Sequence, residues 1–250
     1  MSIIEVCNNH TGKMEGIKSL STSVLLNPNC KKNRTIPGSI CSHCYANTLA
    51  QMYSALGARL ERNTKELTSR FLTSQDLDYL KKELQNETIF RFEAFGDLNN
   101  EVQLRNYIRI CRSFPEVKFA LYTKMYKLVY DFFSKYKCCP GNLTLIISSL
   151  KLNKTVKIEN FYKLGVFSDY QVKVFTVYDK NFIKSHPNLN INCGARSCNK
   201  CRLCYSHTPV TEVNEILKSD RESTTLYLEL RDPVKKAKIL DTVEKMLNKY

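Results

Sequence analysis

Seven of the eleven cysteines fall in two groups, and thiols grouped this way bind metals. The first group is Cys30, in "NPNC", with Cys41 and Cys44 in "CSHCYA". Three thiolates suit a four-iron cluster with one iron left open, or a zinc with an outside fourth ligand. The Cys-x2-Cys step lets one backbone turn aim two sulfurs at one centre. His43 lies between them and could add a ligand; it is expected to face solvent instead. The second group, Cys193, Cys198, Cys201 and Cys204, lies in "CGARSCNKCRLCY". Four thiolates can close a tetrahedral zinc site or hold a whole iron–sulfur cluster, and the compact C-x2-C-x2-C run favours the cluster. Cys111, on a helical stretch, is read as a core residue, and Cys7, Cys138 and Cys139 as free thiols.

Disulfides are the competing use of so many cysteines, and they belong to oxidising compartments. The N-terminus, "MSIIEVCNNHTGKMEG", has polar and charged residues where a signal peptide needs an apolar run. No segment approaches the ~18 apolar residues of a membrane span. The expectation is a soluble, cytoplasmic protein with reduced thiols and no membrane partner. The 250 residues are 43% hydrophobic, enough to fill a real core. The formal charge of +14 suits a polyanionic partner such as nucleic acid, or else a merely solubilising surface. Basic residues are spread along the chain, with small clusters at Lys31, Lys32 and Arg34 and at Lys235, Lys236 and Lys238.

The elements that must position these thiols alternate. Strands are expected at 19–26, 88–96, 117–123, 142–149 and 171–178, from β-branched and apolar runs bounded by turn residues. Helices are expected over 46–68, after an N-cap at Ser74-Gln75-Asp76, over 100–114 and over 125–136, with a short one in "NFYKLGVFS". This alternation argues for an α/β fold with a parallel sheet covered on both faces, a barrel or part of one. Residues 181–206 read as loop. Closing helices are expected in "VTEVNEILK" and "PVKKAKILDTVEKMLNKY", with a strand in "TTLYLELR" between them. The division drawn from this is a core over 1–180 and a cysteine-rich segment with closing helices over 181–250, packed on that core.

A strand, then a loop ending in Cys-x2-Cys-Tyr, then further β/α units resembles the start of a radical S-adenosylmethionine enzyme. The resemblance implies a parallel partial (β/α) barrel in which Cys30, Cys41 and Cys44 bind a [4Fe–4S] cluster and Tyr45 lies near the nucleotide. Gly96 and Asp97 in "FEAFGDL" stand where that superfamily has a glycine-rich turn at the methionine end of the cofactor. Ten residues separate Cys30 from Cys41, where the superfamily usually has three. The chain is more closely similar to a group of phage proteins, the gene-88 protein family. Ser21, Ser23, Pro28 and Cys30, then Cys41–Ala46, then Cys193–Tyr205 match its motifs, with "RFEAFGDL" and "FALYTK" between. This implies a phage iron–sulfur protein with a radical-enzyme-like barrel.

Two functions follow as expectations. One is an enzyme whose open-iron cluster binds a small molecule, S-adenosylmethionine first among candidates, and acts on nucleic acid or a small molecule. Glu93, Tyr122 and Lys124 are its candidate pocket residues, as strand-end positions face ligands in parallel α/β folds. The other is a non-catalytic module, stabilised by iron–sulfur or zinc, that binds nucleic acid or a host protein. A third arrangement has the two cysteine groups sharing one centre.

Overall fold

In a computed structural model, six strands of one sheet run parallel in sequence order. The structure describes residues 4–10, 12–194 and 197–220, together with Ala237 and Asp241. The strands are β1 (Cys7–Asn8), β2 (Lys18–Leu20), β3 (Ile89–Phe92), β4 (Lys118–Thr123), β5 (Leu143–Ser148), β6 (Val172–Tyr178) and β7 (Glu212–Ile216). They neighbour one another in that order, and among the described strands only β1 is antiparallel, beside β2. The sheet is open, with β1 and β7 as its outer strands among the described residues. The α/β expectation holds; among the described residues the sheet does not close into a barrel.

Alternation along the strands builds two different faces. Phe90 and Phe92, Phe119 and Leu121, Leu143, Leu145 and Ile147, and Val172 and Val174 point into one large core. It is covered by α3 (Ser54–Ser69), α4 (Ser74–Leu84), α5 (Glu101–Ser113), α6 (Tyr126–Tyr136) and α7 (Glu159–Tyr162). Cys111 is buried there, as expected. Phe92 stacks on Phe119 and on Tyr107 at 5.2 and 4.2 Å between ring centres. Each such ring contributes about 2–3 kcal/mol of apolar burial. The opposite face is smaller: Ile17, Ile89 and Ala120 meet Tyr205, with Met14, Tyr122, Cys198 and Cys204 around them.

Several expected boundaries move. Of 19–26 only residues 19 and 20 pair as strand, within Lys18–Leu20, because the hydroxyls that follow bond elsewhere. Ser21 Oγ accepts from the Ala94 and Phe95 amides, and Ser23 Oγ accepts from those of Leu25 and Leu26. The helix expected over 46–68 is two, α2 (Tyr45–Met52) and α3, broken at Tyr53. Gly57 permits the close approach at this break: a Cβ there would lie 2.7 Å from the Ala50 carbonyl oxygen. The cap of α4 is Thr73, in a capping box with Asp76.

The largest correction is "VTEVNEILK", which is no helix. Val210, Val213, Ile216 and Leu217 recur at helical spacing, yet β6 offers an unpaired edge and residues 212–216 take it as β7. The sheet therefore extends beyond residue 180. Residues 181–206 are not all loop: α8 (Lys180–Ser185) is capped by the Asp179 side chain, and α9 (Cys198–Cys201) by Ser197. The strand and helix expected over 224–231 and 233–250 lie outside the described residues, apart from Ala237 and Asp241. Among the described residues no helix is long and apolar enough to cross a membrane.

Candidate metal centres

The first cysteine group sits where β2, β3 and β4 end. Asn27 caps α1 (Pro28–Arg34), its side-chain oxygen accepting from the Asn29 and Cys30 amides. Its Nδ2 donates to the Asp97 and Leu98 carbonyls, which fastens the cysteine loop to the turn after β3. Ser39 caps the 3-10 turn at 40–43 and accepts from the Cys41 amide, and Ile40 N–H bonds the Leu150 carbonyl beyond β5. Cys44 closes that turn through its N–H to the Cys41 carbonyl and starts α2. His43 is exposed, as expected.

The turn after β3 is itself tightly built. Asp97 Oδ1 accepts from Leu98 N and Thr123 Oγ1 at 2.8 and 2.5 Å, and Oδ2 from Lys124 N at 3.0 Å. About four acceptor positions exist on a carboxylate, so one is left. Burial pushes the Asp97 carboxyl upward against the opposing charge of Lys124. Gly96 has φ +79°, and a Cβ there would meet the Thr22 carbonyl oxygen at 2.4 Å. Only glycine fits that turn. Glu93, with φ 56°, accepts from Thr22 N, Thr22 Oγ1, Gln103 Nε2 and Tyr107 OH. Burial pushes its pKa up to about 8, despite the bonds from Tyr107 and Thr22. The structure thus spends Glu93 on internal bonds rather than on a pocket wall. Tyr45 donates its hydroxyl to the Ala94 carbonyl at 2.8 Å, rests edge-on against Phe95 and leaves 45% of its surface exposed.

Charge ties the group together. Burial pushes the Cys30 thiol well up and Asp97 adds to it, while Lys124 opposes both; burial raises Cys41 likewise, again against Lys124. Lys124 is raised: burial acts to lower it, and Cys41, Asp97, Cys30 and Cys44 outweigh that. All three thiols, Asp97 and Lys124 therefore share one corner of the molecule.

The second group lies on the sheet face opposite the helices. Cys193 pairs beside β7, its N–H bonded to the Asn214 carbonyl. α9 carries Cys198 and Cys201 and ends at Arg202, whose left-handed conformation sends the chain into the 3-10 turn of Cys204 and Tyr205. Tyr205 is buried against Ile17, Ile89 and Ala120, which anchors the turn. Around these thiols stand three cations. Lys13 Nζ is 3.5 Å from Cys193 Sγ and also pairs with Glu215. Arg91, on β3, acts on Cys198 and Cys204. Lys173, buried on β6, acts on Cys204 while its amine bonds the Thr208 and Val210 carbonyls. Burial pushes Cys193 up to about 12 against Lys13, and raises Cys204 against the Tyr122 hydrogen bond and Arg91. Tyr122 was expected near a pocket; here it belongs to this second group. Arg91, Lys13 and Lys173 were not singled out from the sequence, although a charge inside an apolar run, as in "TIFRF" and "QVKVFTV", is a readable signal.

All eleven cysteines are free thiols. Among the described residues no set of three or more His, Cys, Asp or Glu side chains is drawn together as the ligands of a single ion. A cuboidal cluster spreads its thiolates over its corners, wider than one ion does. The donor chemistry of both groups suits such a centre, and at the second group one buried polar atom, Arg91 Nε, has no partner. The two groups have separate surroundings. Burial raises the Tyr45 hydroxyl, and charges of both groups act on it, Arg91 and Glu215 from the second and Cys44 and Lys124 from the first.

No curated protein and no solved structure matches the chain. The family model described as Gene product 88 matches residues 5–207, a span that takes in both cysteine groups and six of the seven strands. The chain therefore belongs to the phage Gene product 88 family.

Proposed function

We propose that the chain is a phage iron–sulfur protein whose open parallel sheet is a partial barrel of the radical S-adenosylmethionine type, acting in the host cytoplasm. Cys30, Cys41 and Cys44 would hold a [4Fe–4S] cluster with one iron open, and Cys193, Cys198, Cys201 and Cys204 a second centre, iron–sulfur or zinc. When bound, the first cluster supplies a single electron to a small molecule at its open iron, S-adenosylmethionine being the first candidate. The protein's share is positioning. Asn27 and Ser39 hold the cysteine loop, Lys124 offsets the negative charge, and Tyr45 and the one acceptor position left on Asp97 are offered to the ligand. Gly96 lets the turn approach closely.

The observation that carries this reading is the convergence of three thiols, Asp97 and Lys124 at the carboxyl ends of consecutive parallel strands, where parallel α/β sheets bind ligands. The test is anaerobic purification with iron and sulfide analysis, then electron paramagnetic resonance of the reduced protein with and without S-adenosylmethionine. Iron near four per occupied site and a spectrum that shifts on adding the ligand are expected. Zinc alone, or a spectrum indifferent to the ligand, overturns the enzyme reading.

The formal charge of +14 favours a second reading, a metal-stabilised module that binds nucleic acid. Tight binding whose affinity falls steeply with salt, without any small-molecule response, would select it. A host-protein partner is the remaining form of that reading.

A further inference from the structure

We propose that Arg91 is the counter-cation and hydrogen-bond donor of the centre held by Cys193, Cys198, Cys201 and Cys204. This rests on the reading of those four cysteines as a metal site.

Arg91 sits mid-strand on β3, between Phe90 and Phe92, which face the helical core; alternation puts its own side chain on the opposite face. There its guanidinium carbon lies 3.7 Å from the centre of the Tyr122 ring, and Nη1 approaches Met14 Sδ at 3.3 Å. Nε is buried with no partner. Among the described residues no carboxylate pairs with it, and Glu215, beside Cys193, is bonded to Lys13. The Tyr122 ring it lies on belongs to the cluster of Tyr205, Cys198 and Cys204, and its charge acts on both thiols.

A guanidinium cannot shed its charge, so it cannot relieve burial by becoming neutral, as a lysine can. A ring face and a thioether offset only part of the cost of taking it out of water. An anion beside it removes the remainder. Four thiolates around one zinc ion, or around a four-iron core in its oxidised form, carry a net charge near −2 by simple addition. Such a centre offers sulfur acceptors to the orphaned N–H and charge to the whole group. Lys13 at Cys193 and Lys173 near Cys204 act in the same direction. Groups of this kind fix ligand orientation and tune the metal.

The arrangement predicts opposite effects in two states of one variant. The experiment uses the full chain with Cys30, Cys41 and Cys44 changed to serine, so that metal reports on the second group alone. Arg91→Met and Arg91→Lys are compared with that parent, metal-loaded and after removal of metal. In the loaded state Arg91→Met should lose metal to a chelator about tenfold faster or more, and Arg91→Lys should fall between. If the metal is a cluster, its midpoint potential should move to more negative values in Arg91→Met, because a lost cation disfavours the added electron. In the metal-free state Arg91→Met should melt at the same temperature as the parent or higher, since a partly buried charge with an unpaired N–H is gone. Equal metal retention in Arg91→Met and parent overturns the proposal, as does a metal-free Arg91→Met that melts lower, which marks a purely structural cation–ring contact. A parent that binds neither iron nor zinc refutes the metal site itself and the role of Arg91 with it.

Discussion

The two cysteine groups are held by different means. The first is fastened by hydrogen bonds between chain segments: Asn27 to the turn after β3, Ser39 to Cys41, and Asp97 to Thr123 and the Lys124 amide. All of them run between protein groups and none uses a thiol sulfur, so the loop geometry is supplied by the fold. The second group depends on four-residue α9, a 3-10 turn and the charges of Lys13, Arg91 and Lys173, with Tyr205 as its apolar anchor. Short turns of this kind do not hold themselves together. On the proposed reading of both as metal centres, one group is a preformed receptor and the other a fold element completed by its ligand.

The sharpest test of that contrast is to remove one thiol from each. Cys198→Ala or Cys201→Ala should release metal and lower the melting temperature strongly, since metal binding there is also folding energy, of order 10 kcal/mol for structural zinc. Cys41→Ala should release iron and lower the melting temperature of the protein far less than either. Metal analysis with thermal unfolding of both variants decides it, and equal losses of stability would end the comparison.

A smaller effect concerns what keeps the first group preformed. Asp97→Ala strands the Thr123 hydroxyl and the Leu98 and Lys124 amides, at a cost of about 3–5 kcal/mol by urea unfolding, given ~1–3 kcal/mol for each unsatisfied buried group. A cost under about 1 kcal/mol would mean that the turn is held otherwise.

Glu93 adds a pH signature to the same turn. Its folded pKa of about 8 lies above its ordinary value of 4.5, so the folded state keeps a proton that the unfolded chain releases. Its contribution is present in full below about pH 4.5 and fades as pH rises through about 8, by up to ~3–5 kcal/mol. Glu93→Gln should flatten this slope; an unchanged slope would assign it to other groups. Least affected should be Tyr45→Phe, which loses one hydroxyl bond to Ala94, about 1 kcal/mol, and should leave metal retention at the second group untouched.

Much of this architecture was legible in local pattern. The strands at 118–123, 143–148 and 172–178 and the helices at 101–113 and 126–136 follow from apolar runs, periodicity and breakers that act over a few residues. Thiol spacing likewise marked both groups, because side chains brought together by one turn must lie close in sequence. Local pattern could not settle residues 210–218, where helical spacing and a β-strand fit the same apolar residues. The open edge of β6 decided it, since unpaired backbone groups there gain partners only from a strand. Nor could it show that Ser21 and Ser23 bond to remote amides, or that Glu93 is enclosed by Thr22, Gln103 and Tyr107. The roles of Arg91 and Lys173 were the most hidden. A charged residue within an apolar strand is visible in sequence, but which face it takes and which thiols it meets arise only when β3, β6 and the cysteine turn are brought together from positions far apart in the chain.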